Sequence, residues 1–210
     1  REIRGEEMIH FALACNLLVA IGGSPLLAHE AVVPKYPGSL PGGVRPGLLV
    51  QLRKLSRDQA RVFMEIEYPQ GGPLALAAGV ESFNAIGEFY EAILAAFKEL
   101  NPTLSLDRQL ELDGATIHFS KIDSLAKVEE AITLINLQGE GSHLTPEEMP
   151  GDLAHYYQFG EIHYGKSLVK DASGQWSFSG PDVALPDTWD MADIPEGGYQ
   201  QADVSDPAVW

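Results

Sequence analysis

A mainly α-helical bundle with long irregular connections and an extended C-terminal tail is the fold class that this 210-residue sequence predicts. Three observations carry that expectation. Apolar residues recur at helical spacing in five separate stretches. The long connection over 26–47 is dense in Pro and Gly, which suits neither a helix interior nor a central strand. Beyond Lys170 no helical period remains.

The first helix is expected over 1–21. Ile3, Glu7, His10, Ala14, Leu17, Leu18 and Ile21 share one face of a 100° wheel, and Gly22-Gly23-Ser24-Pro25 ends the helix. Two polar side chains inside an apolar stripe are the first anomaly of the chain. A short extended segment is expected over 48–52. Ser56 is placed to cap a helix at about 57–66, with Val62, Phe63 and Ile66 on its buried side. The next helix is expected over 83–100, where Phe83, Ile86, Phe89, Tyr90, Ile93, Phe97 and Leu100 form a stripe. Strand-like alternation at 115–119 precedes a helix that opens at Asp123-Ser124 and runs through Val128, Ile132 and Ile135 to Gly139. Thr145-Pro146-Glu147-Glu148 reads as one turn of helix inside a polar loop. Asp152 is expected to start the last helix, with His155, Phe159 and Ile162 aligned and Gly165 near its end. Asp171-Ala172-Ser173-Gly174 reads as the turn of a hairpin. The expected organisation is a helical domain over 1–168, with inserted helices at about 57–66 and 83–100. An irregular acidic tail over 169–210 packs on it, anchored by Trp189, Tyr199 and Trp210.

Composition excludes several function classes. Thirty acidic against 14 basic residues give a formal net charge of −16, so phosphate backbones and anionic lipid are repelled, and neither nucleic acid nor a membrane is expected as partner. The longest apolar stretch, 8–21, is broken by His10 and Asn16 and falls short of the roughly 20 residues that a bilayer core demands. One cysteine, Cys15, forms no intrachain disulfide, which fits a reducing, cytoplasmic setting. The chain opens on Arg1-Glu2-Ile3-Arg4 with no signal-peptide pattern, and is expected to start in the middle of a longer protein. No nucleophile elbow, phosphate loop or dinucleotide fingerprint is present.

Chemistry is concentrated in a few side chains. Glu7-Met8-Ile9-His10 is a Glu-x-x-His pair, which a helix presents on one face one turn apart. A carboxylate and an imidazole so placed reach one metal ion, and a buried ionised carboxylate needs a cation or hydrogen bonds to offset desolvation. A hydrogen-bonded core His beside a Glu at the stripe's edge accounts for the same four letters. Glu140 lies between two glycines in Gln138-Gly139-Glu140-Gly141-Ser142, which marks either a close backbone approach to a site or a helix end unwinding into a turn. His143 follows at the same Glu-x-x-His spacing. His155 sits at the centre of the last helix's apolar stripe, with Glu161 a turn and a half later. Glu88 and Glu91 fall opposite the apolar face of their helix and read as solvent-exposed.

Several of these segments, taken together, have a familiar look: Glu6-Glu7-Met8-Ile9-His10, Leu40-Pro41-Gly42-Gly43, Ile86-Gly87-Glu88-Phe89-Tyr90, Gln138-Gly139-Glu140-Gly141-Ser142 and His155-Tyr156-Tyr157-Gln158-Phe159. Over about 1–166 the chain resembles the ferritin-like domain family associated with iminophenyl-pyruvate dimer synthase, an enzyme of violacein-type bisindole biosynthesis. The resemblance implies a four-helix bundle holding two metal ions, iron or manganese. Its metal ligands map onto Glu7, His10, Glu140 and His155, with Glu161 as an additional ligand or a supporting partner. It implies an oxidoreductase that uses O2 or peroxide, with a small aromatic amino-acid-derived substrate. A non-catalytic metal-binding or structural bundle partnering a biosynthetic enzyme is the alternative. The family pattern also contains an earlier helix with an inward Glu, which nothing before Glu7 matches. Either the sequence is a fragment of a longer chain, or a partner chain supplies that helix, or the site has degenerated; a homo-oligomer or such a partner chain is the expected assembly.

Overall fold

A computed structural model describes residues 2–27, 29, 32, 34–71, 82–113, 118–141, 146–149 and 151–190. Five α-helices occur among them: α1 (Glu2–Ala20), α2 (Arg57–Ile66), α3 (Ile86–Leu100), α4 (Leu125–Gly139) and α5 (His155–Tyr164). Three two-stranded antiparallel hairpins accompany them: β1 (Leu112–Asp113) with β2 (His118–Phe119), β3 (Glu147–Met149) with β4 (Asp152–Leu153), and β5 (Lys166–Lys170) with β6 (Trp176–Asp182). The domain is mainly α, as the helical spacing predicts. No described helix is long and apolar enough to cross a membrane.

Local chemistry sets the helix ends. Ser56 caps α2 by accepting the Gln59 N–H at 3.0 Å, and Ser124 caps α4 through Lys127 N–H. Asn101, in the left-handed region at φ 41°, closes α3. Gly165 (φ 68°) closes α5, where the Arg57 guanidinium donates to Ile162 O at 2.8 Å and so satisfies a terminal carbonyl of α5 from the start of α2. α2 and α5 pack as one pair and α3 and α4 as another, with α1 laid against α4.

The main core joins Ile9, Leu13, Leu17 and Ala20 of α1 to Phe97 of α3 and Val128, Ala131, Ile132 and Ile135 of α4, with Phe119 and Ile122 closing one end. Burial of each large aliphatic side chain contributes roughly 1.5–3 kcal/mol. The buried face of α1 is rotated from the expected stripe, for Leu18 and Ile21 are exposed, as are Met8 and Phe11. From Met8 onward α1 is apolar nearly all round, so the wheel has a weak maximum and the neighbouring helix decides which side is covered. Asn16 is buried because its amide both donates to and accepts from the backbone of Leu110 at 2.8 Å.

Other departures have local causes. α3 begins at Ile86 instead of position 83, since Phe83 and Val44 form a bridge before the helix starts; Leu100 is exposed. Asp152 does not open α5: it pairs with Met149 in β4, and Pro146 to Leu153 contain a hairpin where a helical turn was expected. Glu88 is half-buried, not solvent-facing: its carboxylate turns back and accepts the N–H of Asn84, just ahead of the N-cap residue Ala85, at 2.8 Å. Trp189 stands in solvent and anchors nothing. The expected alternation at 115–119 is described only at His118–Phe119; His143, Tyr199 and Trp210 lie outside the described residues.

Candidate metal centre

Helical spacing on α1 brings Glu6, Glu7 and His10 toward one another, and the fold adds two groups from distant positions. Glu67 is the C-cap residue of α2, and His155 is the first residue of α5. The packing of α2 on α5 delivers both to the flank of α1. There Glu7 Oε1 stands 3.0 Å from His155 Nδ1 and 3.3 Å from His10 Nδ1, so one carboxylate oxygen faces two imidazoles. Glu67 Oε1 lies 3.9 Å from His155 Nδ1. Glu7, Glu67 and His155 each present one ligand atom, all within 4.8 Å of one another. The two rings are 5.6 Å apart between centroids.

Both imidazoles are held from behind. His155 Nε2 lies 2.8 Å from Glu6 Oε2, and His10 Nε2 lies 2.9 Å from Gln138 Oε1. An outer partner at Nε2 aims Nδ1 inward, which is how ligating imidazoles are oriented in metal sites. His155 is completely buried, and its Nδ1, although close to Glu7, is out of hydrogen-bonding alignment and has no hydrogen-bond partner. A buried, unsatisfied ring nitrogen next to two carboxylates is the arrangement that a cation relieves.

Electrostatics agree with the geometry. Partial burial alone would raise the Glu7 carboxyl, but the adjacent imidazoles of His10 and His155 bring it down to about 2. Burial alone would lower His155, and the carboxylates of Glu67, Glu7 and Glu6 outweigh it, raising the imidazole to about 10. Without metal, the positive charge that this acidic cluster requires is therefore the proton on His155.

Glu140 occupies an adjoining position. It is almost fully buried at the C-cap of α4, with Oε1 accepting the Gly87 N–H and Oε2 accepting the Gln70 N–H at 3.2 Å. Burial pushes its carboxyl up to about 7 against those two hydrogen bonds, helped by the charges of Glu67 and Glu88. Both sequence readings of its flanking glycines hold. A Cβ on Gly139 would lie 2.9 Å from Glu67 Oε2, while Gly141 turns the chain at φ 58°. Gly139 therefore lets the Glu67 carboxylate pass close to the helix end.

The structure thus brings together Glu7, His10 and His155, and seats Glu140 next to Glu67. It puts Glu161 elsewhere, where Oε1 accepts the Leu168 N–H at 2.8 Å at the start of the β5–β6 hairpin. Sequence reading missed Glu67 and Glu6. Glu67 has one signal of its own, since a carboxylate at a helix C-terminus opposes the helix dipole and calls for a compensating cation. Glu6 has none beyond its place four residues before His10. Tyr90 of α3 completes the surroundings. Burial and the charges of Glu7 and Glu67 raise its phenol above the ordinary value.

The family model described as Ferritin-like matches residues 1–164. Nothing among the curated proteins matches the chain, and nothing among the solved structures does.

Proposed function

Because the chain belongs to the ferritin-like family, we propose that the cluster between α1, α2 and α5 is a dinuclear metal centre of iron or manganese and that the protein is an oxidoreductase using O2 or peroxide. The observation that carries this reading is the pair of inward-facing Nδ1 atoms sharing Glu7 Oε1, one of them buried without a hydrogen bond. Hard carboxylate oxygens and imidazole nitrogens suit either metal. In this reading Glu7, His10, His155, Glu67 and Glu140 would hold the ions, the carboxylates balancing their charge and the imidazoles completing the ligand set.

When bound, such a pair of ions would supply redox and Lewis-acid chemistry toward O2 or peroxide. The chain's own residues do the rest. Glu6 and Gln138 fix the imidazole orientation. Gly87 and Gln70 N–H groups hold Glu140 when it is not ligating. Tyr90 supplies a phenol proton at the edge of the centre. The organic co-substrate of this reading is a small aromatic molecule derived from an amino acid.

Metal content by elemental analysis, after reconstitution with Fe(II) or Mn(II), tests the centre. About two ions per chain are expected, with loading lost in Glu7→Ala, His10→Ala and His155→Ala. Oxygen and peroxide consumption by the loaded protein tests the activity. Bound metal without turnover supports the non-catalytic bundle instead, and undiminished loading in all three variants overturns the centre.

A further inference from the structure

Two sequence segments that metal ligation leaves unused meet in the fold. The turn at Pro41–Gly43 lies against the first half of α3, where a Cβ on Gly42, itself at φ 69°, would stand 3.2 Å from the Phe89 ring. Between them is a cleft of about 210 Å3, walled by Leu40, Pro41 and Val44 on one side and Ile86, Phe89 and Tyr90 on the other. Of these side chains only Tyr90 is polar, and Tyr90 is also the residue that feels the charges of Glu7 and Glu67. It also packs against the core that contains Ile9 of α1. Glu140, one residue past the end of α4, touches Gly87 between Ile86 and Phe89. The cleft therefore shares its inner wall with the carboxylate cluster.

We propose that this cleft is the organic-substrate pocket of the centre, and that it takes an uncharged, ring-sized apolar group with its inner edge against Tyr90. Size and chemistry both point there. An apolar cavity of about 150 Å3 accommodates benzene, so this larger cleft has room for a single ring with a small substituent. None of the side chains that wall the cleft is charged, and Arg45, next to Val44, is already paired with Glu65, so an anionic group finds no free counter-charge in the walls and is penalised by desolvation. An amino-acid-derived molecule enters ring first and keeps its carboxylate outside. The word substrate rests on the metal-centre reading; the pocket and its ligand class do not.

The test is 19F NMR on the purified full chain, without metal, using fluorobenzene and 4-fluorobenzoate as probes. Saturable broadening of fluorobenzene is expected, with 4-fluorobenzoate weaker by about tenfold or more. Ile86→Trp fills the cleft from α3 and Leu40→Trp fills it from the facing turn, so that one variant remains informative if the other misfolds. Either, when its far-UV circular dichroism matches wild type, is expected to weaken fluorobenzene by about tenfold or more. On Mn(II) loading, the bound fluorine signal is expected to relax faster through its closeness to the metal. Absence of fluorobenzene binding, equal binding of the anion, unchanged binding in a folded Trp variant, or binding without Mn(II)-enhanced relaxation in metal-loaded protein each overturns the pocket. Failure of Mn(II) uptake with ring binding intact overturns the metal centre and leaves the pocket standing.

Discussion

The Glu140 carboxylate fills the space where a side chain on Gly87 would stand, for a Cβ there would lie 2.6 Å from Oε2. Gly87 is the second residue of α3 and Glu140 the residue after α4, so a helix start and a helix end meet through a carboxylate and an amide. Gly87→Ala must displace Glu140 or α3. The expected cost is about 1–3 kcal/mol of unfolding free energy, read by denaturant titration, together with reduced metal loading. An unchanged midpoint and unchanged loading would show that this contact does not position Glu140.

The raised Glu140 carboxyl makes stability depend on pH in a definite direction. Going from its ordinary 4.5 to about 7 on folding, it binds its proton more tightly in the native state. Stability is then greatest below 4.5 and declines as pH rises through 7. At 1.36 kcal/mol per unit the full decline is roughly 3 kcal/mol. Glu140→Gln cannot ionise, so the difference in unfolding free energy between variant and metal-free wild type should shift by that order across this window, in favour of the variant at higher pH. A pH-independent difference would contradict the assignment.

His155 has the opposite charge type. With its imidazole raised from 6.5 to about 10, its contribution to the stability of the metal-free protein is complete below 6.5 and is lost as pH rises through 10. A metal ion must displace this proton, so about one proton per His155 leaves on loading at neutral pH. Calorimetry in buffers of different ionisation enthalpy measures that release, and affinity should rise by up to about tenfold per pH unit between roughly 7 and 9. Loading that releases no proton would place the metal away from His155.

Glu67→Gln and Glu161→Gln form a contrasting pair. Glu67 reaches the cluster, whereas Glu161 accepts a backbone N–H from Leu168, a role that the glutamine oxygen retains. Metal loading should fall in Glu67→Gln and stay at the wild-type level in Glu161→Gln. The reverse order would restore Glu161 as a ligand and remove Glu67.

Much of the candidate site is legible without coordinates, because a helix converts sequence spacing into direction. Glu7 and His10 are three apart on α1, and their approach follows from 3.6 residues per turn. Glu67 was not legible. Nothing in its neighbourhood repeats, and its meeting with His155 across 88 positions depends on α2 packing against α5. The face that α1 buries was read incorrectly for the same kind of reason, since its stretch from Met8 is apolar on nearly every side and takes its orientation from its neighbours.

Local and nearest-turn interactions set what the amino-acid order by itself determined: a mainly helical chain, serine caps at α2 and α4, a Glu-x-x-His pair, and glycines flanking Glu140. Only the tertiary structure decided which buried polar groups became structural, as Asn16 did on Leu110, and which were left facing one another, as His155 and Glu7 were. That choice depends on desolvation and on partners far away in the chain, and spacing along one helix carries no information about either.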